Sequence, residues 1–157
     1  MSKLIVTSPT DTTIRFERQL GASPERVFEA FTEADLMRQW YSDPSNPIIA
    51  VESDPREGGA YKMVWSGSDG QMIMSGIYTL FKRPKALHST ENWEPDWAGG
   101  EVLNDIEFHA SEAGTEMILT STYTSKDARD GAKGGAEEGF GACLDAMESL
   151  LASTAPV

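Results

Sequence analysis

The chain has little of the chemistry that most catalytic or metal sites need. It carries one cysteine and two histidines. A lone cysteine permits neither an intrachain disulfide nor a thiolate metal cluster. His88 and His109 do not make a convergent ligand set by themselves. Glu107 and His109 stand two apart, so they share a strand face, as metal-ligand pairs and ordinary surface pairs both do. The surface pair is the preferred reading, and no metal or cofactor is assigned. Positive charge is also scarce. Thirteen Lys and Arg against 25 Asp and Glu leave a net charge of −12. Nucleic acid and anionic lipid surfaces are held by Lys and Arg on phosphate, so neither is an expected partner. No apolar run is long enough to cross a membrane. Residues 1–13 lack the apolar core of a secretory signal, and cytoplasmic residence is the default expectation.

Catalytic motifs are missing too. Ser66-Gly67-Ser68-Asp69-Gly70 reads as a turn and not as a nucleophile elbow. The glycine-rich run 131–141 has no Lys-Ser/Thr ending, so it is not a phosphate-binding loop. It reads as a loose helical start or a mobile loop at a cavity lip. Cys143 lies near an apolar helix stripe, two residues from Asp145, where an anion disfavours the reactive thiolate. It reads as a structural cysteine.

What is present is a clear change of period along the chain. The 157 residues, 39% of them hydrophobic, fit one domain with a core over about 12–152. Residues 1–11 are polar and expected to fray. Residues 12–20 alternate, with Ile14, Phe16 and Arg18 on one face, and predict a strand. Ser23-Pro24-Glu25 supplies an N-cap, a first-turn proline and an acid at the positive end of a helix. Thr32 is read as capping a second short helix, with Asp35 as its capping-box acid. Pro44 and Pro47 end it. From Ile48 to Tyr123 the period is two, with turn signals between runs, and the spacing predicts about six strands in a meander, or seven with the first. Phe140, Leu144, Met147 and Leu151 then recur at helical spacing.

This order predicts an α+β fold. A curved antiparallel sheet presents one apolar face, and only the C-terminal helix is long enough to cover it. A sheet curled around one helix leaves room at its open end. Candidate wall residues come from each element. The short helices offer Phe28, Phe31 and Trp40. The strands offer Tyr61, Met63, Trp65, Met74, Tyr78, Trp93, Met117 and Tyr123. The last helix offers Phe140, Leu144 and Met147. An ordinary solid core would use the same residues. Two polar groups stand out. Glu91 lies on a strand whose parity does not fix its face, and burial there would suit an acceptor or general acid. Arg56 would pair with Asp54, pin a bulge or orient an acidic ligand.

The chain also resembles a known group. The run Ser23-Pro24-Glu25-x-Val27-Phe28-x-Ala30-Phe31-Thr32 is followed by Leu36 and Trp40. Then come Asp54-x-Arg56-x-Gly58-Gly59-x-Tyr61, Asp69-Gly70, Gly76-x-Tyr78, Pro84, Leu87 and Glu91-x-Trp93. Gly114-Thr115 opens the late strand, and Gly139-Phe140 stands where the group usually has Gly-Trp. In these residues the chain resembles the START-like, or SRPBCC, superfamily, and within it relatives of the C-terminal domain of the Aha-type activator of heat-shock-protein 90 ATPase. The resemblance implies the helix-grip, Bet-v-like fold. It implies a cavity for a hydrophobic or lipid-like small molecule, with no assignable reaction. A co-chaperone-like interaction module, or a cyclase- or hydrolase-like enzyme using Glu91 or His88, are the alternatives. The oligomeric state is not read from the sequence.

Overall fold

The computed structural model describes residues 3–41 and 46–153. Among them the alternating segments form eight strands: β1 (Ile5–Thr7), β2 (Thr13–Leu20), β3 (Ile48–Ser53), β4 (Ala60–Gly67), β5 (Gly70–Lys82), β6 (Ala86–Glu94), β7 (Val102–Ser111) and β8 (Gly114–Thr122). Three helices complete the fold: α1 (Pro24–Thr32), α2 (Ala34–Trp40) and α3 (Lys126–Ser153). The extra strand relative to expectation is β1. Residues 3–11 are not simply frayed, because Val6 pairs with Phe16 across an antiparallel ladder and Leu4 joins the core.

The sheet order is β1-β2-β8-β7-β6-β5-β4-β3. Strands β3 to β8 form a continuous meander. The β2 strand returns beside β8, paired from Thr13↔Thr122 to Leu20↔Thr115. The sequence neighbours β2 and β3 therefore lie far apart in the sheet, and α1 and α2 make the connection between them. Register shifts interrupt the β3–β4 pair between Ile48 and Ala50 and the β5–β6 pair between Tyr78 and Leu80, and irregularities of this kind add local twist. Gly76 permits the close approach of β5 to β6. A Cβ at that position would sit 1.9 Å from the Thr90 carbonyl oxygen.

The start of α1 follows its sequence signal. Ser23 caps it, accepting from the Arg26 amide at 3.4 Å, and Pro24 opens the first turn. The buried stripe is Val27, Phe28, Ala30 and Phe31. The capping box expected for α2 does not form. Thr32 ends α1, and its hydroxyl donates to the Phe28 carbonyl at 2.9 Å. Glu33 is the cap residue of α2, without a side-chain bond, and Asp35 pairs with Arg38 instead. Trp40 ends the helix. Pro44, read as a stop, lies outside the described residues.

The largest correction concerns the glycine-rich run. Residues 131–141 are neither loop nor loose start but the middle of one 28-residue helix, about 42 Å long at 1.5 Å per residue. Glycine costs about 1 kcal/mol per helical position relative to alanine, so tertiary contacts must hold the segment. Arg129 is buried in the first turn of α3 and donates through Nη1 to the Thr10 and Thr13 carbonyls, at 2.9 and 3.3 Å. Toward the other end, Arg18 of β2 donates to Asp145 at 2.6 Å and to Glu148 at 2.7 Å. Leu144, Met147 and Leu151 are buried there. The helix is thus fastened on both sides of its glycines.

Candidate functional site

Between α3 and the concave face of the sheet lies an open cavity of about 570 Å³. Its wall follows from strand parity. On β4 the inward residues are Tyr61, Met63 and Trp65, on β5 Met72, Met74 and Tyr78, and on β6 Leu87, Ser89, Glu91 and Trp93. The middle of the sheet adds Asn104 and Ile106 from β7, and Leu119 and Ser121 from β8. The helix faces them with Gly131, Gly135 and Gly139, spaced four apart, and with Ala132, Ala136, Phe140 and Cys143. The glycines therefore have a geometric role. Each omits a side chain where the helix passes over the cavity, and a Cβ at any of the three would meet nothing within 4 Å.

Of the residues anticipated as wall, Phe31, Tyr61, Met63, Trp65, Met74, Tyr78, Glu91, Trp93, Tyr123 and Phe140 line the cavity together. Phe28, Trp40, Met117, Leu144 and Met147 do not. They are fully buried in the packed core beside it. Trp40 shows why, since its indole N–H donates to the Ala30 carbonyl at 2.7 Å and its ring meets Phe31 edge-on. Arg56 lies away from the cavity. It is 68% exposed and pairs with Asp54 at 2.8 Å. His88 and His109 sit on the outer surface, near Asp105 and Glu107 respectively. No cluster of three or more metal-ligating side chains occurs among the described residues.

Sequence reasoning passed over several lining residues, among them Tyr41, Trp97, Asn104 and Ser121. The last two had a usable signal. Asn104 alternates with the apolar Val102, Ile106 and Phe108, and Ser121 alternates with Met117 and Leu119. A polar residue on an otherwise apolar strand face marks either a polar network or a ligand contact.

Here it marks a network. Ser121 donates to Asn104 Oδ1 at 2.6 Å, and Asn104 donates to Glu91 Oε1 at 2.8 Å. The Trp93 indole N–H donates to Glu91 Oε2 at 2.7 Å. Burial pushes the Glu91 carboxyl up from its ordinary pKa, while the bonds from Trp93 and Asn104 pull it back down. The phenols are shifted upward as well. Burial raises Tyr78 and Tyr123 to about 12, and the Glu91 charge adds to the effect at Tyr123. Tyr61 donates to the Thr90 carbonyl at 2.6 Å. Ser53 donates to the Thr32 carbonyl at 2.6 Å, so the Tyr78 hydroxyl, 2.7 Å from Ser53 Oγ, is the donor of that pair.

Aromatic rings continue to the mouth. Trp65 and Trp93 stack with centroids 5.6 Å apart, and Trp93 meets Trp97 at 5.1 Å. Trp97 is half exposed. The result is an apolar chamber with an aromatic entrance and one hydrogen-bonded carboxylate on its wall.

Residues 21–152 match the family model described as "Activator of Hsp90 ATPase homolog 1-like protein". No curated protein matches the chain significantly. Solved structures do. A protein from Rhodobacter sphaeroides is 25% identical, with a TM-score of 0.89 over 96% of this chain and 99% of that one. A protein from Mycobacterium smegmatis is 21% identical, with a TM-score of 0.83 over 98% and 99%. One from Staphylococcus epidermidis is 19% identical, with a TM-score of 0.82 over 96% and 95%. The last two likenesses bear on the fold alone.

Proposed function

Given that the chain belongs to the family of Activator of Hsp90 ATPase homolog 1-like proteins, we propose that it binds a hydrophobic small molecule between its sheet and its long helix. The observation that carries this reading is the cavity of about 570 Å³, walled by Met and aromatic side chains with few polar groups. Small-molecule sites have this size and composition, and a few fixed polar groups orient what enters. Four methionines, Met37, Met63, Met72 and Met74, give the wall adaptable surface. The glycine face of α3 supports the same reading, because a helix evolved only for packing would fill that space.

The polar groups support binding better than turnover. Glu91 is held by two donors, the Trp93 indole and the Asn104 amide, which fix the carboxylate as an orienting acceptor. A thermal-shift screen of uncharged and charged apolar compounds, followed by native mass spectrometry, tests the reading. Binders that raise the melting temperature with one-to-one stoichiometry are the expected result. A chain whose stability no apolar compound changes would overturn it.

A further inference from the structure

The cavity carries charge of one sign. Among the described residues that line it there is no Lys, Arg or His, and Glu91 is the single carboxylate. The arginines fastening α3 are committed elsewhere, Arg129 to Thr10, Thr13 and Asp130, and Arg18 to Asp145 and Glu148.

The hydrogen bonds around Glu91 also run one way. They pass from Ser121 to Asn104 to Glu91, and from Trp93 to Glu91. Each carboxylate oxygen accepts one of these bonds and keeps capacity for another. Tyr61 and Tyr78 turn their donors to Thr90 and Ser53, as shown above. At Glu91 the site therefore offers an acceptor, while Ser89, Tyr41 and Tyr123 also line the chamber. A ligand carboxylate would set a second negative charge near the partly buried Glu91, with no lining cation to offset it. A ligand ammonium would donate to Glu91 in a chamber lined by Trp65, Trp93 and Tyr123, aromatic residues of the kind that attract cations. The net charge of −12 draws cations toward the protein from a distance.

Deepening the binding reading, on which it rests, we infer that the cavity selects lipophilic amines: an apolar body among the methionines and aromatic rings, and a protonated nitrogen donating to Glu91. Carboxylic acids of the same shape are rejected.

A competition experiment tests the selectivity. N-phenyl-1-naphthylamine, uncharged at neutral pH and fluorescent in apolar surroundings, serves as tracer, with its own affinity measured for each protein. It is displaced by 4-(1-naphthyl)butylamine or by 4-(1-naphthyl)butyric acid, which share one apolar body. The amine should displace it from the wild-type protein at a concentration at least tenfold lower than the acid. In Glu91→Gln that ratio should fall to about twofold. An acid equal to or better than the amine overturns the inference, and so does a ratio unchanged in the variant. The wild-type ratio decides even if the variant does not fold. Saturable tracer binding without amine preference removes the inference and leaves the binding reading standing, whereas absence of any probe binding removes both.

Discussion

Arg18 Nη2 lies 2.7 Å from Glu148 Oε1, and this contact ties the first long strand to the last helix across most of the chain. The Arg18 side chain is only 3% exposed, Glu148 is 18% exposed and Asp145 is half exposed. Replacing Arg18 with Met leaves two carboxylates facing an apolar group. Asp145 can turn to water, which softens the penalty. Removing one partner of a buried ion pair costs about 3 kcal/mol at the lower end of the usual range, and that is the loss expected for Arg18→Met in urea unfolding.

Glu91 gives a pH-dependent signature. Its native pKa is raised, chiefly by burial. Between the ordinary carboxyl value and the raised one, the native state keeps a proton that the unfolded chain has released. The stability this contributes is full below the ordinary value and is lost as pH rises through the raised one. Glutamine has no such proton to lose. The stability of Glu91→Gln relative to wild type should therefore increase as pH rises above the ordinary glutamate value of about 4.3. A difference between the two unfolding curves that is flat with pH would contradict the burial of this carboxylate.

The glycine face of α3 allows an unusual combination. Gly131, Gly135 and Gly139 have helical backbones, and a Cβ at each meets nothing within 4 Å. Alanine at each position should stabilise the protein by about 0.5–1 kcal/mol, while the three added methyl groups protrude toward the cavity. The triple variant should melt at a higher temperature and bind the naphthyl tracer more weakly. A triple variant that binds as well as the wild type would show that this helix face does not bound the ligand.

Two tryptophans should separate stability from binding. Trp40 is fully buried and donates to Ala30. Trp40→Ala should cost about 3–5 kcal/mol. Trp97 is half exposed at the mouth. Trp97→Ala should change stability by no more than about 0.5 kcal/mol and weaken tracer binding. Equilibrium unfolding and tracer titration on both variants check the contrast.

Much of the sheet was legible because its period is simple. Tyr61, Met63 and Trp65 share a face whichever way the sheet turns, and Ser68-Asp69-Gly70 marks its hairpin. The face of Glu91 was not legible, since parity is relative and only the assembled sheet says which side is concave. The three-residue β1 carries too few alternations to be seen. The glycines of α3 misled because propensity is local, whereas the arginine fastenings that hold that helix involve Arg129 and Arg18, on either side of the run and on β2. Trp40 and Met117 could not be told from lining residues, because a cavity wall and a solid core use the same side chains. Arg56 had sequence context but no cavity contact.

The stacked pair Trp65 and Trp93 gives the protein an intrinsic optical reporter. Two indoles 5.6 Å apart at an interplanar angle of 24° couple their electronic transitions, and Trp93 is also bonded to the Glu91 carboxylate. An occupant that touches Glu91 or displaces either ring changes the coupled circular-dichroism signal and the tryptophan emission together. Occupancy of the chamber is thus readable by spectroscopy on the unlabelled protein.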